Sequence, residues 1–163
     1  MTARPGIAPA RFTPAHLRIL AKLATGASSA SVALDLDITI GTLGTQVQAM
    51  GRRAGVSGRA PLLHTAYRTQ QLRRPEREVF DGVVEDLQLQ MVQLVASGAS
   101  VQEIADACRI SRDTARIRLK RFRDRAAAKN DVHLVAQGWR YGWIDESLEV
   151  KPAGFLSTVP VRG

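Results

Sequence analysis

Residues 111–126 read SRDTARIRLKRFRDRA. At 3.6 residues per turn the apolar side chains of this stretch form one narrow stripe, which predicts an amphipathic helix with a single buried face. The stripe consists of Ala115, Leu119, Phe122 and Ala126. Ser111 precedes it and is suited to capping the first turn. The rest of the surface is crowded with arginine, and each unpaired guanidinium group would be costly to bury. The pattern favours a helix that binds a polyanion, with a solvated basic face as the alternative.

The charge of the whole chain indicates the same kind of partner. The 163 residues carry a net charge of +8, and the pI is about 10.7, which favours nucleic acid or another anionic surface. Nine basic residues crowd between Arg109 and Lys129, whereas residues 1–72 contain eight basic and two acidic residues. Because Cys108 is the single cysteine and no apolar run approaches a membrane span, we predict a cytoplasmic, nucleoid-associated protein with no membrane partner.

A shift of 72 residues aligns the sequence with itself without a gap. The agreement falls at core, turn and cap positions, which are the positions that two copies of one fold retain. The matching pairs include Leu17 and Leu89, Gly26 and Gly98, Ala33 and Ala105, Ile38 and Ile110, Thr42 and Thr114, and Leu62 and Leu134. We therefore predict an internal duplication.

The segment between the two copies also has a helical pattern. Apolar residues keep helical spacing from Pro75 to Ser97, about six turns, which predicts one long helix. Its first turns, from Val79 to Val84, have no partner within the second copy. We expect them to pack on the fourth helix of the first copy and to join the two copies into one rigid body.

Each copy resembles the four-helix, GerE-like helix-turn-helix domain of the LuxR family. The first copy has Phe-Thr-Pro at residues 12–14, where the family usually has Leu-Thr-Pro, and Gly-Ala-Ser at residues 26–28, where the family has Gly-Leu-Ser. In the second copy, residues 98–105 and 110–115 follow the scanning helix and turn of the family closely. Arg109 stands where the family prefers Gly, so a left-handed backbone there would cost about 1 kcal/mol.

The resemblance implies an all-α fold in which two tandem four-helix helix-turn-helix modules are joined by the long helix. We divide the chain into a flexible N-terminal arm (1–11), a degenerate first module (12–72), a second module with an extended first helix (73–143) and a C-terminal tail (144–163). The tail is expected to be disordered or to lie on the surface through Phe155 and Leu156.

In this family the third helix enters the major groove of DNA, which implies base contacts by Arg116, Ile117 and Lys120. Arg116 is suited to a bidentate contact with guanine, Ile117 to a thymine methyl group, and Lys120 to guanine or a phosphate. Phosphate contacts, which fix register and salt dependence, are expected from Ser111, Arg112, Thr114, Arg118 and Arg121.

The first copy departs from this pattern. Its equivalent residues are Gly44, Thr45 and Gln48, and the three glycines of its third helix cost about 2 to 3 kcal/mol of helix propensity relative to alanine. Thr45 and Gln48 remain candidate base contacts, since glutamine pairs with adenine. A purely structural or protein-binding role for this helix stays open beside auxiliary DNA contact.

Other candidate residues favour ordinary structural roles. The three histidines, His16, His64 and His133, lie in different predicted helices without acids or cysteines arranged around them, so no metal site is expected. No nucleophile with a base and no phosphate-binding glycine loop can be assembled, which predicts no catalytic site, no cofactor and no enzyme. Trp139 and its aromatic neighbours are suited either to the core or to a subunit interface.

The sequence therefore predicts a bacterial, sequence-specific DNA-binding transcriptional regulator whose partner is double-stranded DNA. A homodimer through helix 4 and a pseudo-dimer within one chain both remain open, as does a protein co-regulator. Two alternative functions also remain: an interaction module that docks on another regulator or RNA polymerase, and an architectural protein that coats the chromosome.

Overall fold

A computed structural model describes residues 11–150, and this part of the chain contains eight helices and no strand, which confirms the all-α fold. The N-terminal bundle comprises α1 (Pro14–Leu23), α2 (Ser29–Asp35), α3 (Ile40–Ala54) and α4 (Arg59–Arg68). The C-terminal bundle comprises α5 (Asp86–Ser97), α6 (Val101–Cys108), α7 (Arg112–Arg125) and α8 (Asp131–Arg140).

The helices of the C-terminal bundle begin 72 residues after their counterparts in the N-terminal bundle, as α8 (131–140) does after α4 (59–68). The capping hydroxyls keep the same offset, since Ser28 and Ser100 cap α2 and α6, and Thr39 and Ser111 cap α3 and α7. Left-handed backbone also recurs, in the pairs Gly26 and Gly98, Asp37 and Arg109, Gly55 and Ala127, and Gln70 and Gly142. Turn geometry is thus matched even where the residue types differ.

The prediction of one long helix between the two copies, from Pro75 to Ser97, is wrong. α5 begins at Asp86, and residues 75–84 are irregular. The amide of Glu85 donates to Oε1 of Gln88 at 3.0 Å, which closes the helix start. Upstream, Gly82 has φ 141, outside the helical region. The helix therefore starts only at Asp86, although helical spacing of apolar residues begins further upstream in the sequence. Capping at Glu85 and the backbone conformation of Gly82 prevent the helix from extending toward Pro75.

The segment 75–84 also packs differently from the prediction. Its anchor is Phe80, whose ring lies edge-on at 5.1 Å from both Tyr141 and Trp143 in the segment that follows α8. Val79 is 95% exposed and Val83 is also exposed, so neither packs on α4. Phe80 and Val84 are partly buried, so the apolar pattern of this segment did not mark a continuous buried face of a helix.

The two bundles nevertheless pack directly on each other, because α4 lies against both α5 and α8. At the centre of this contact the indole Nε1 of Trp139 donates to Nδ1 of the buried His64 at 3.0 Å. The rings of Tyr67 and Trp139 lie 5.6 Å apart. Trp139 thus fills the core between the bundles, whereas Trp143 packs on Phe122 of α7.

The segment after α8 returns to α4 instead of losing contact with the fold. Ile144 is buried, the carbonyl of Leu148 accepts from Nε2 of His64 at 2.8 Å, and Glu146 pairs with Arg74 at 3.2 Å. The predicted tail is therefore packed over residues 144–150. The remaining tail residues, including Phe155, and the N-terminal arm up to residue 10 lie outside the described residues.

Candidate nucleic-acid interface

A helix-turn-helix unit is formed by α6, a short turn and α7. The start of α6 is closed by a capping box, in which the amide of Ser100 donates to Glu103 at 2.8 Å and the amide of Glu103 donates to the Ser100 hydroxyl at 3.1 Å. Arg109 adopts φ 58 in the turn, as its position predicted, and the amide of Ile110 donates to the Ala105 carbonyl at 3.0 Å. These contacts fix the angle at which α7 leaves the turn.

The inner face of α7 is the predicted apolar stripe. Ala115, Leu119 and Phe122 are buried within the helix, and Ala126 at its C-cap is buried as well. Phe122 contacts Trp143 with a centroid separation of 5.0 Å. Because one side of α7 is held in the core, the opposite side has a fixed orientation.

The opposite side carries the three residues predicted to contact bases. Ile117 is 52% exposed, and the side chains of Arg116 and Lys120 are 58% and 68% exposed. Arg116 pairs with Asp113 at 3.7 Å and Lys120 with Asp124 at 3.0 Å, both on the same helix. Exposed pairs of this kind contribute little, about 0.3 to 0.5 kcal/mol, so an anionic ligand can displace them.

The residues predicted to contact phosphates divide into two groups. Arg112, Arg118 and Arg121 are exposed along the flanks of α7. The hydroxyl of Ser111 caps the helix, since it accepts from the Thr114 amide at 3.0 Å and donates to the Thr114 hydroxyl at 2.9 Å. The hydroxyls of Ser111 and Thr114 therefore stabilise the first turn of α7, and they lie at the end of the helix where a phosphate contact is predicted.

Two further arginines of α7 make contacts within the protein. Nη1 of Arg123 lies 2.8 Å from the Asp131 carboxylate. Arg125 donates to the carbonyl of Val83 at 2.6 Å and stacks over the ring of Phe80 at 5.7 Å. No local sequence pattern distinguishes these two guanidinium groups from the other arginines of α7, because their partners lie in other segments.

The corresponding helix of the N-terminal bundle, α3, presents a different surface. Gln48 is exposed, and so is Thr45, whose hydroxyl donates to the Gly41 carbonyl at 3.1 Å. A Cβ atom added at Gly44 would meet nothing within 4 Å. The two candidate base contacts of α3 thus stand beside a bare stretch of backbone.

Apolar side chains replace charges on this surface. Leu34 is 81% exposed at the position equivalent to Asp106, and the exposed Ile40 occupies the position equivalent to Arg112. The outer face of α3 is therefore neutral over most of its length, although Arg52 and Arg53 follow in its last turn.

Two histidines and the single cysteine have pKa values shifted mainly by burial in the fold. Burial lowers the pKa of His64 below its ordinary value, and burial and then Lys129 do the same for His133. Burial raises the pKa of the Cys108 thiol, which keeps it a poor nucleophile. Within residues 11–150, no group of three or more His, Cys, Asp or Glu side chains could hold a metal ion.

Residues 83–129, which include α5, α6 and α7, match the model of a family described as a homeodomain-like domain. The match supports a helix-turn-helix DNA-binding domain in this part of the chain. No curated protein and no solved structure matches the chain. Among the helices of residues 11–150, none combines the length and the hydropathy needed to cross a bilayer.

Proposed function

We propose that this protein is a sequence-specific, non-enzymatic transcriptional regulator that inserts α7 into the major groove of DNA. The observation that carries the proposal is the two-sided character of α7. Its apolar stripe is buried, and Arg116, Ile117 and Lys120 project together from the opposite side. The homeodomain-like match over residues 83–129 supports the same assignment.

Each of the three outward residues has a distinct task in this proposal. Arg116 leaves Asp113 and makes a bidentate contact with O6 and N7 of guanine, Ile117 contacts a thymine methyl group, and Lys120 binds guanine acceptors or a phosphate. The aspartates discourage unspecific anion binding, because a ligand must offer more than the weak intrahelical pairs it replaces.

The phosphate contacts in the proposal come from the flanks and the start of α7. Arg112, Arg118 and Arg121 neutralise phosphates on the two sides of the groove, while Ser111 and Thr114 contact the backbone near the helix start. Such contacts supply affinity that falls with rising salt and contribute no choice of sequence.

We further propose that the two bundles are tandem modules of the LuxR type, placed at residues 12–72 and 73–143. The support is the 72-residue offset that recurs in helix starts, capping hydroxyls and left-handed turn residues. In the first module, Thr45 and Gln48 make auxiliary base contacts. The expected location is the bacterial cytoplasm, in association with the nucleoid.

A matched pair of substitutions tests the role of α7. Arg116→Ala should reduce discrimination at one base pair by about 1 to 3 kcal/mol, whereas Arg121→Ala should weaken binding to all sequences alike. Both side chains are exposed, so both variants should fold normally. Competition binding between a selected duplex and its single-base variants measures the difference. Identical behaviour of the two variants would contradict direct readout by Arg116.

A second candidate function is docking of the N-terminal bundle on another regulator or on RNA polymerase. Exposure of Leu34 and Ile40, where the C-terminal bundle has charged residues, favours it. Binding to genomic fragments at two salt concentrations separates the candidates. Sequence preference that survives raised salt supports the regulator, uniform salt-sensitive binding supports a chromosome-coating protein, and no binding supports the docking module.

A further inference from the structure

The contact between the two bundles is reciprocal. Gly26, which follows α1, faces His133 near the start of α8, and Asn130 donates to the Gly26 carbonyl at 3.2 Å. Gly98, which follows α5, faces Pro61 near the start of α4. Gly98 lies 72 residues after Gly26, and His133 lies 72 residues after Pro61. In each bundle, therefore, the glycine that follows the first helix faces the third residue of the fourth helix of the other bundle.

One further contact obeys this relation, and a second pair of contacts follows it for the arginines though not for their partners. Tyr67 and Trp139 are equivalent positions and contact each other, as residues on a twofold axis do. Nε of Arg68 donates to the Glu146 carbonyl at 2.9 Å in the segment after α8, and the equivalent Arg140 binds Glu78 in the segment after α4 at 2.9 Å. Each bundle thus receives the segment that trails the other.

A groove of about 580 Å³ between the bundles has the same symmetry. Equivalent positions line it in pairs, among them Leu23 and Val95, Ala27 and Ala99, and Gly58 and Asn130. Self-complementary contacts of this kind define a twofold, isologous interface, which is normally formed by two identical chains. Here one chain supplies both halves. The relation is approximate, since α4 packs more extensively on α5 than α1 packs on the equivalent helix, α8.

In the homodimer that the sequence analysis left open, a second copy would join through helix 4, and in this chain that helix is already covered. Tyr67 and Trp139 are each 4% exposed, and α4 and α8 cover one another. A twofold relation within the chain also makes α3 the counterpart of α7. Paired helix-turn-helix units place their recognition helices in major grooves about 34 Å apart, one turn of duplex DNA.

We propose, on the basis of the proposed function, that a single chain binds a non-palindromic duplex site composed of two unlike half-sites. The first half-site, bound by α7, contains guanine for Arg116. The second, bound by α3, contains adenine for Gln48, because an amide side chain donates to N7 and accepts from N6 of that base. Gly44 lets the α3 backbone approach the duplex closely, since no side chain separates them there.

The unequal charge of the two helices predicts unequal half-sites. α7 carries exposed arginines at 112, 118 and 121, whereas α3 has Ile40, Gln46 and Ala49 at the equivalent positions. The first half-site therefore supplies most of the affinity and nearly all of the salt dependence. The second contributes selectivity with few phosphate contacts, so its loss weakens binding without changing the salt slope.

The test is selection of bound duplexes from a random library with the full chain, followed by hydroxyl-radical footprinting and native mass spectrometry. We expect one chain per duplex and two unlike protected blocks with centres about 10 base pairs apart. Scrambling the second block should weaken binding about tenfold. Arg116→Ala should relax the first block alone, and Gln48→Ala, an exposed substitution, should relax the second alone.

Each alternative outcome has a defined meaning. Two chains on a palindromic site, or a single protected block that is indifferent to Gln48→Ala, overturns the inference and leaves DNA binding by α7 intact. Absence of binding to any duplex at low salt overturns the inference together with the proposed function. Intact folding of the variants is verified by their thermal unfolding transitions.

Discussion

The helices α3 and α7 occupy equivalent places in their bundles but differ in nearly every outward side chain. Their buried positions correspond, since Leu43 and Met50 of α3 match Ala115 and Phe122 of α7. Outward, α7 has Arg112, Arg116, Arg118 and Arg121 where α3 has Ile40, Gly44, Gln46 and Ala49. Burial constrains the inner face and leaves the outer face free to change. The core therefore indicates what the two bundles share, and the surface indicates what each one binds.

The largest expected effect tests whether the two bundles form one cooperative unit. Trp139→Ala removes a buried ring from the interface and leaves Nδ1 of His64 without its donor. We expect a loss of about 3 to 5 kcal/mol in the free energy of unfolding, in a single transition of the whole chain. Chemical denaturation followed by circular dichroism measures it.

Trp139→Phe is the matched control, because it keeps an aromatic ring and removes the indole donor. Its loss should be intermediate. Two separate transitions, with the N-terminal one unmoved by Trp139→Ala, would mean that the bundles unfold independently and that their contact contributes little.

The next prediction tests whether the difference in charge between α7 and α3 determines how strongly each helix contributes to the salt dependence of DNA binding. The triple variant Arg112→Ala, Arg118→Ala and Arg121→Ala should reduce the slope of log binding constant against log salt by roughly 2 to 3, about one for each lost phosphate contact. The double variant Thr45→Ala and Gln48→Ala should leave that slope unchanged. Binding isotherms at four salt concentrations supply the slopes. An unchanged slope in the triple variant would place the phosphate contacts elsewhere.

A smaller effect concerns two histidines that approach the bundle interface from opposite sides. Burial lowers the pKa of His64 from its ordinary value of 6.5, Arg68 adds to the lowering, and the Leu148 carbonyl and Asp145 oppose it. The pKa of His133 is lowered as well, by burial, Lys129 and Arg140. Both imidazoles therefore bind a proton more readily in the unfolded chain.

Stability should consequently decline as the pH falls below about 6.5 and level off below the folded pKa values. A histidine that is protonated in the unfolded chain but neutral in the folded one, such as His64, contributes at most about 1.4 kcal/mol per pH unit to this slope. His64→Gln and His133→Gln should each flatten the slope between pH 7 and pH 5, whatever their effect on stability at pH 7. Denaturation midpoints across this range decide the matter, and a flat wild-type profile would refute the assignment.

Much of the fold could be predicted from the sequence because its signals are local. Helix starts are encoded by hydroxyls such as Ser100 and Ser111, and buried faces by apolar spacing within one helix. The offset of 72 residues located the second bundle from the first. Even the left-handed turn at Arg109 could be predicted, because the pattern requires that conformation whatever the residue.

Contacts between distant segments could not be predicted in the same way. The periodicity from Val79 onward suggested a helix, yet Phe80 is held by an aromatic cluster at the end of α8 and by Arg125. His64 binds both Trp139, which is 75 positions away in the sequence, and Leu148, which is 84 positions away. A sequence pattern shows that a side chain prefers burial and does not identify the segment that covers it.

The smallest effect concerns the glycines of α3. Gly44→Ala should raise the free energy of unfolding by about 0.5 to 1 kcal/mol, because the new methyl group meets nothing within 4 Å and the helix gains propensity. Gly51→Ala is the matched control in the same helix, since its Cβ would lie 2.8 Å from the Val56 carbonyl oxygen, and it should not stabilise the protein. Thermal unfolding compares the two. If Gly44→Ala stabilises the fold and also weakens DNA binding, close backbone approach is the reason for glycine at this position; if it stabilises the fold and leaves DNA binding unchanged, α3 does not approach the duplex at Gly44.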